Sequence, residues 1–200
     1  RYPDGFTNSC KKCNNKRQLD WTHATGRKKP FKKKGYTILE DGSIQVPLTK
    51  GSFAIIDQED IDLAECNWYV NSCGYAQRVI VQSSSKVIHF MHRIILERKT
   101  KRPLGKAELT DHINLNRLDN RRSNLRIATH AQNVNNRPVQ SSSKSKYKGI
   151  YLIQGRWAAR VRHNGKQFFL GLHYTPEQAA LAYDKAASEH FGEFAHLNFP

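Results

Sequence analysis

The spacing of apolar residues changes along the chain, and each change marks an element. In the last quarter, Trp157, Ala159 and Val161 alternate with Arg156, Arg160 and Arg162. That period of two predicts a strand over Arg156 to His163 with one apolar and one basic face. Tyr147 to Ile153 and Gln167 to Leu172 read as strands on either side. Asn164-Gly165 is a strong hairpin signal, because a type I′ turn needs positive φ at both positions. Thr175-Pro176-Glu177-Gln178 predicts a helix start, with Thr175 as cap, Pro176 in the first helical position and Gln178 closing a capping box. The small Ala179, Ala182, Ala186 and Ala187 allow that helix to lie close on a sheet, and Gly192 stops it after Phe191.

Upstream the pattern is less regular. Residues 36–86 read as β-rich. Asp41-Gly42 predicts a hairpin, Phe53 to Ile56 a strand, and Asp57 a cap for a short helix reaching about Cys66. Trp68 to Val70 and Tyr75 to Val81 pair around a turn at Gly74. Val87 to Leu96 runs from strand into helix, ended by Pro103 and Gly105. Ala107 to Thr110 and Leu125 to Ile127 are short strands around a loop rich in Asn, Asp and Arg, and Thr129 caps a helix carrying Asn133. Residues 1–35 show no hydrophobic period. Residues 140–146 form a polar, Ser-rich linker. The predicted fold class is α+β, built from several modules: a basic tail over 1–35, a β-rich scaffold over 36–86, a central ββα module over 87–140, and a three-stranded antiparallel sheet with one helix over 144–200.

Charge adds a partner to this layout. The 33 Lys and Arg against 17 Asp and Glu leave a formal charge of +16, which points to a polyanion. The tail and the two C-terminal modules are basic, whereas 36–85 is acidic, so the scaffold is not expected to be the main polyanion surface. No apolar run of about 18 residues suggests a membrane span, and no secretory signal is visible. The 4 Cys are unevenly spaced and do not form a disulfide framework, which favours a reducing compartment. The expected location is cytoplasmic or nucleoid-associated. The start at Arg1 predicts residues upstream of it. The pair Cys10 and Cys13 leaves two alternatives open: half of a Zn²⁺ site whose other half is missing, or a lone CxxC in a basic tail.

The candidate chemistry lies in the central module. Hydrolysis of a phosphodiester needs a base near neutral pH and a counter-charge for the leaving oxygen. His112 suits the first task. A Mg²⁺ or Mn²⁺ ion held by the hard oxygens of Asp111 and Asn133 suits the second. Arg117, Arg121, Arg122 and Arg126 lie near enough in sequence to meet a nucleic-acid backbone. No Gly-x-Ser-x-Gly, P-loop or His-Glu-x-x-His motif competes with this reading.

Met91-His92-Arg93, Asp111-His112-Ile113-Asn114, Leu118-Asp119-Asn120-Arg121, Ser123-Asn124-Leu125-Arg126 and Gln132-Asn133 occur in register over about fifty residues. Together they resemble the HNH endonuclease family, in the subgroup found in homing enzymes. The resemblance implies His112 as general base, Asp111 and Asn133 as metal ligands, and Asn124 as the residue that braces the loop and orients the base. It also implies a phosphate contact for Arg93. Tyr147-Lys148-Gly149-Ile150, Arg156-Trp157-Ala158-Ala159, Phe169-Leu170-Gly171, Glu177 to Asp184 and Leu197 to Pro200 resemble the AP2 DNA-binding domain. There the sheet enters the major groove, which makes Arg156, Trp157, Arg160, Arg162 and Lys166 the candidate contacts. The first strand carries Tyr151, Leu152 and Ile153 where that pattern has Arg, and Arg160 stands where an acid is usual. The expected target therefore differs, with a lean toward phosphate and shape.

The sequence thus predicts a site-specific, metal-dependent DNA endonuclease of homing type, nicking one strand per active site. Its expected partner is double-stranded DNA, with no membrane and no small-molecule cofactor, as a monomer or dimer. The alternative is a non-catalytic DNA-binding transcriptional regulator.

Overall fold

The computed structural model describes residues 35–82, 85–139 and 145–200. Cys10 and Cys13, the basic tail and most of the Ser-rich linker lie outside the described residues. The chain divides into two compact units, the first ending at Ile127 and the second starting at Ala128. Helices and strands are mixed, and the sheets are small.

In the first unit, β1 (Thr37–Ile38), β2 (Ile44–Pro47) and β3 (Phe53–Ile56) form an antiparallel sheet in chain order. The Asp41-Gly42 turn forms as the sequence suggests: Gly42 has φ 79, and Asp41 Oδ1 accepts from the Ser43 backbone N–H at 2.9 Å. A 3-10 helix, Gln58–Glu65, follows. Asp57 does not cap it through its side chain, as the sequence had suggested. Its carboxylate instead accepts from the Arg122 backbone N–H at 2.6 Å.

β4 (Tyr69–Val70), β5 (Ala76–Gln82) and β6 (Ser85–Phe90) form a second antiparallel sheet. β5 and β6 pair from Gln77↔Phe90 to Gln82↔Ser85, so strand pairing crosses the division expected between residues 86 and 87. α1 (Met91–Thr100) grows directly out of β6 and ends on Lys101 in the left-handed region at φ 55, ahead of Pro103. Met91, Ile94 and Ile95, at i, i+3 and i+4, make its buried face. That face joins Ile44, Val46, Ala54 and Ile56 of the first sheet, Leu63 and Trp68, and Leu125 of β8 (Leu125–Ala128) in a single core. The β-rich stretch and the start of the central module therefore share one hydrophobic interior.

One ionic cluster reinforces that interior. The Asp60 side chain is fully buried. It receives Arg98 Nη1 at 2.9 Å from α1 and Arg122 Nε at 2.8 Å from the turn before β8. Asp62 takes two further bonds from Arg98, each 2.8 Å, and Glu59 pairs with Arg122. A buried carboxylate is tolerable only with such partners, and losing one side of the arrangement strands the other.

The second unit holds α2 (His130–Asn135), the antiparallel strands β9 (Ile150–Ile153), β10 (Arg156–His163) and β11 (Lys166–His173) in the order β11-β10-β9, and α3 (Pro176–Phe191). Both capping boxes form, Thr129 with Gln132 and Thr175 with Gln178. Asn164 and Gly165 have φ 49 and 77, as a type I′ turn requires. Ala159 and Val161 pack with Ala179, Ala180, Tyr183 and Ala187 of α3 to form the core. Asp184 ties the C-terminal strand of chain to the helix, accepting from the Asn198 and Phe199 backbone N–H groups at 2.8 and 2.9 Å. Gly149 sits at φ 75 under the Tyr183 ring, where a Cβ would come within 2.1 Å of Tyr183 Cδ2.

Two outcomes test these packing statements in urea titrations of the whole chain. Asp60→Ala is expected to lower stability by about 3 kcal/mol, because Arg98 and Arg122 lose their shared buried partner and keep only Asp62 and Glu59 at the more exposed edge. Gly149→Ala is expected to lower the stability of the second unit by about 2 kcal/mol or more, through φ strain and overlap with Tyr183. A loss within about 0.5 kcal/mol, the range of ordinary surface changes, would refute either account.

Candidate functional site

Asp111 and His112 lie on β7 itself (Leu109–His112), rather than after a strand, and β7 pairs with β8. Both side chains face inward, at 3% and 4% exposure. Asp111 Oδ2 accepts from Arg126 Nε on β8 at 2.8 Å. His112 Nε2 stands 3.1 Å from Asn120 Oδ1. Burial pushes the His112 imidazole below the ordinary histidine range, while the Asn120 hydrogen bond and the Asp111 charge oppose it. A neutral, buried imidazole held by a hydrogen bond is suited to accept a proton.

The loop between β7 and β8 is irregular, but its own side chains tie it together. Asn124 Oδ1 accepts from the Asn114 N–H at 2.9 Å, and its Nδ2 donates to the Asp119 carbonyl at 2.7 Å. Both polar atoms of Asn124 are thus spent within the loop, and the contact to the histidine is made by Asn120 instead. Asp119 is buried, accepts from Asn114 Nδ2 at 2.8 Å, and takes two 2.8 Å bonds from Arg121. The middle of the loop lies alongside β3: Ile55 N–H donates to the Leu118 carbonyl at 2.8 Å, and Asn120 N–H donates to the Ile55 carbonyl at 2.7 Å.

Aromatic rings wall the histidine. His92 meets it edge-on with centroids 5.3 Å apart, and Tyr75 lies 6.0 Å away. His92 in turn stacks on Phe90 at 5.3 Å and leans on Tyr75 at 4.9 Å. Its Nδ1 is buried with no hydrogen-bond partner. In the sequence Asn120, Asp119 and His92 stand out only as members of the Leu118 to Arg121 and Met91 to Arg93 motifs, and Tyr75 carries no signal.

The arginines separate by burial. Arg126 serves Asp111, with its side chain 11% exposed. Arg122 is committed to Asp60 and Glu59, and Arg121 to Asp119 and Asp41. Arg93 pairs with Glu97 at 3.2 Å and donates to the Leu104 carbonyl at 2.7 Å. Arg117 is exposed, donating to the Cys73 carbonyl and lying over the Tyr75 ring. Asn133 sits on α2 in the second unit, its N–H bonded to the Thr129 carbonyl. Among the described residues no three His, Cys, Asp or Glu side chains gather as a metal cage. Asp111 remains a hard oxygen donor whose carboxylate already holds a cationic group, Arg126, at 2.8 Å. A sparse donor set of that kind suits an ion that keeps several waters.

In the second unit, one sheet face packs on α3, and the other carries exposed side chains. Arg160 and Arg162 are exposed on β10, beside exposed Phe169 on β11. Arg160 lies over the Tyr151 ring, with its Cζ 4.7 Å from the centroid, and Arg156 over Tyr174 at 3.8 Å. Trp157 packs against the core. Lys166 is exposed at the start of β11.

A profile of the HNH endonuclease family matches residues 89–135. An uncharacterized HNH endonuclease of Acanthamoeba polyphaga mimivirus is 33% identical over 151 residues, covering 74% of this chain and 76% of the viral protein. The chain belongs to the HNH endonuclease family. It also shows short similarities to Arabidopsis thaliana proteins. Dehydration-responsive element-binding protein 2A is 39% identical over 62 residues, 30% of this chain and 18% of that protein. Dehydration-responsive element-binding protein 2D is 44% identical over 57 residues, 27% of this chain and 28% of that protein. No helix among the described residues is long and apolar enough to cross a membrane.

Burial also sets a pH dependence. It drives the His92 imidazole down to about 3, with His112 and the Arg93 charge acting in the same direction. An unfolded histidine titrates near about 6.5, so below that pH the unfolded chain binds the extra proton. Stability is therefore full above about pH 6.5 and is lost as pH falls toward 3, at up to about 1.4 kcal/mol per pH unit from this group. His92→Phe should flatten that slope when urea unfolding is repeated across the acid range. An unchanged slope would mean that His92 is not the titrating group.

Proposed function

We propose that this chain is a site-specific, divalent-metal-dependent DNA endonuclease of homing type, hydrolysing one phosphodiester per active site and so nicking one strand. The observation that carries the reading is the buried, neutral His112, hydrogen-bonded to Asn120 beside Asp111, in a member of the HNH endonuclease family. His112 takes the proton of the attacking water. Asp111 and Asn133 would hold a Mg²⁺ or Mn²⁺ ion, which when bound supplies counter-charge to the leaving oxygen. Arg126 keeps the Asp111 carboxylate aligned across the β7–β8 pair. Asn124 keeps the loop in shape.

DNA contacts divide between the units. In the first, exposed Arg117 meets the phosphate backbone, while Arg121, Arg122 and Arg93 hold the loop and helix that present the site and reach DNA only through their exposed edges. In the second, Arg156, Arg160 and Arg162 engage double-stranded DNA from the exposed side of the sheet, Lys166 reaches it from the exposed start of β11, and Trp157 supports them from the core side. The short similarity to proteins named as element-binding supports this role.

The test uses supercoiled plasmid carrying a pool of random inserts, with Mg²⁺ and with a chelator. The expected product is nicked circles at a restricted set of inserts, in Mg²⁺ only. His112→Ala should cut slower by about 10²-fold or more, the usual scale for a lost general base. Equal cleavage by the variant would sink the assignment. Retarded DNA with no cleavage in Mg²⁺ or Mn²⁺ would favour a DNA-binding regulator.

A further inference from the structure

The histidine contact falls on a residue other than the motif asparagine expected to make it, and the geometry around that residue is determinate. Asn120 has no exposed surface. Its Nδ2 is directed at two acceptors, the Leu118 carbonyl at 3.3 Å and Met91 Sδ at 3.5 Å. That fixes the amide's orientation: the nitrogen faces Leu118 and Met91, and Oδ1 faces His112 Nε2. An amide oxygen only accepts, so the hydrogen on the neutral ring must sit on Nε2. The ring's lone pair then lies on Nδ1.

We propose that Asn120 is the positioning residue of the catalytic histidine, selecting the Nε2–H tautomer so that Nδ1 is the nitrogen that takes the proton from water. This rests on the nuclease reading above. In the step it serves, a water proton moves to Nδ1, the hydroxide oxygen bonds to phosphorus, and the phosphorus–oxygen bond to the leaving nucleotide breaks. The leaving oxygen takes a proton from solvent.

The β-rich stretch takes part in this selection. Asn120 N–H is held by the Ile55 carbonyl at 2.7 Å, and Ile55 N–H holds the Leu118 carbonyl at 2.8 Å. The three residues Leu118 to Asn120 are thereby fixed along the edge of β3, and the Asn120 side chain has one direction to point. His92 and Tyr75 flank the imidazole and restrict its rotation away from that direction. Asn124 is not an equivalent candidate, because its oxygen and nitrogen are both spent on loop backbone at 2.9 and 2.7 Å.

The experiment is nitrogen NMR of the whole chain labelled at its histidine rings, with His112→Ala identifying the His112 signals. The expected result is a protonated Nε2 and an unprotonated Nδ1 at neutral pH. In Asn120→Ala the preference should collapse toward a tautomer mixture. In Asn120→Asp, which keeps an acceptor oxygen in place, it should persist. Cleavage kinetics add a second readout. Asn120→Ala should lose about 10²-fold in kcat with KM changed by less than about threefold, and Asn120→Asp should lose clearly less. If Asn120→Ala does not fold, the wild-type tautomer and the Asn120→Asp pair still decide the matter.

A wild-type His112 protonated on Nδ1 would overturn the proposal. So would an Asn120→Ala variant that folds with tautomer and kcat unchanged. An Nε2–H tautomer in a chain that cuts no DNA would instead remove the nuclease reading, and the catalytic half of this proposal with it, which separates the two failures.

Discussion

The first unit depends on one buried carboxylate. Asp60 sits where a charge without partners would cost several kcal/mol, and two arginines from distant parts of the chain meet it. Arg98 comes from α1 and Arg122 from the turn that leads into β8. Asp57, three residues earlier, holds the backbone of that same turn. The far end of the loop between β7 and β8 is thus fixed by charge, and its middle by the edge of β3. Between these two anchors the loop needs no regular structure, because Asn114, Asp119 and Asn124 satisfy its backbone from within. His112 and Asp111 inherit their positions from that arrangement.

This changes what the charge of the chain means. A formal charge of +16 reads as a broad cationic surface. Among the described residues of the first unit part of it is spent locally: Arg98, Arg121, Arg122 and Arg126 all face carboxylates. Fields that reach a polyanion come from charges left in solvent, such as Arg117, Arg160, Arg162 and Lys166. Two of the sheet guanidiniums, on Arg156 and Arg160, already lie over tyrosine rings. They have less side-chain freedom left to lose on contact.

Local signals in the sequence translated well. The Thr129 cap, the Thr175 capping box, the Asn164-Gly165 turn and the alternation around Ala159 and Val161 all act over four residues or fewer, and each is found where the spacing put it. The pair Asp111 and His112 was legible for the same reason, being a compact motif, although it lies on the strand instead of after it. Longer-range features were not legible. Nothing in the run Arg121 to Arg126 tells which guanidinium will meet a carboxylate from some sixty positions earlier, as Arg122 does with Glu59 and Asp60. Asn120 and Asn124 are alike as residues, and only the run of β3 beside the loop separates their roles. The division at residue 86 was misleading because Val79, Val81, Val87 and Ile88 remain exposed. Their hairpin looked like the end of one module when it is the middle of a sheet.

The passage of Ile55, Asp57 and Asp60 beneath the loop has a consequence for inheritance. The segment that carries the family's signature, residues 89–135, begins about thirty residues after the backbone carbonyl and carboxylates that hold its loop. Recombination that moved the signature alone would deliver a histidine without its support. The smallest cassette that could be exchanged between genes and arrive functional therefore starts upstream, at the first strands of the unit, and substitutions at Ile55 or Asp60 are constrained by a site to which they contribute no atom of chemistry.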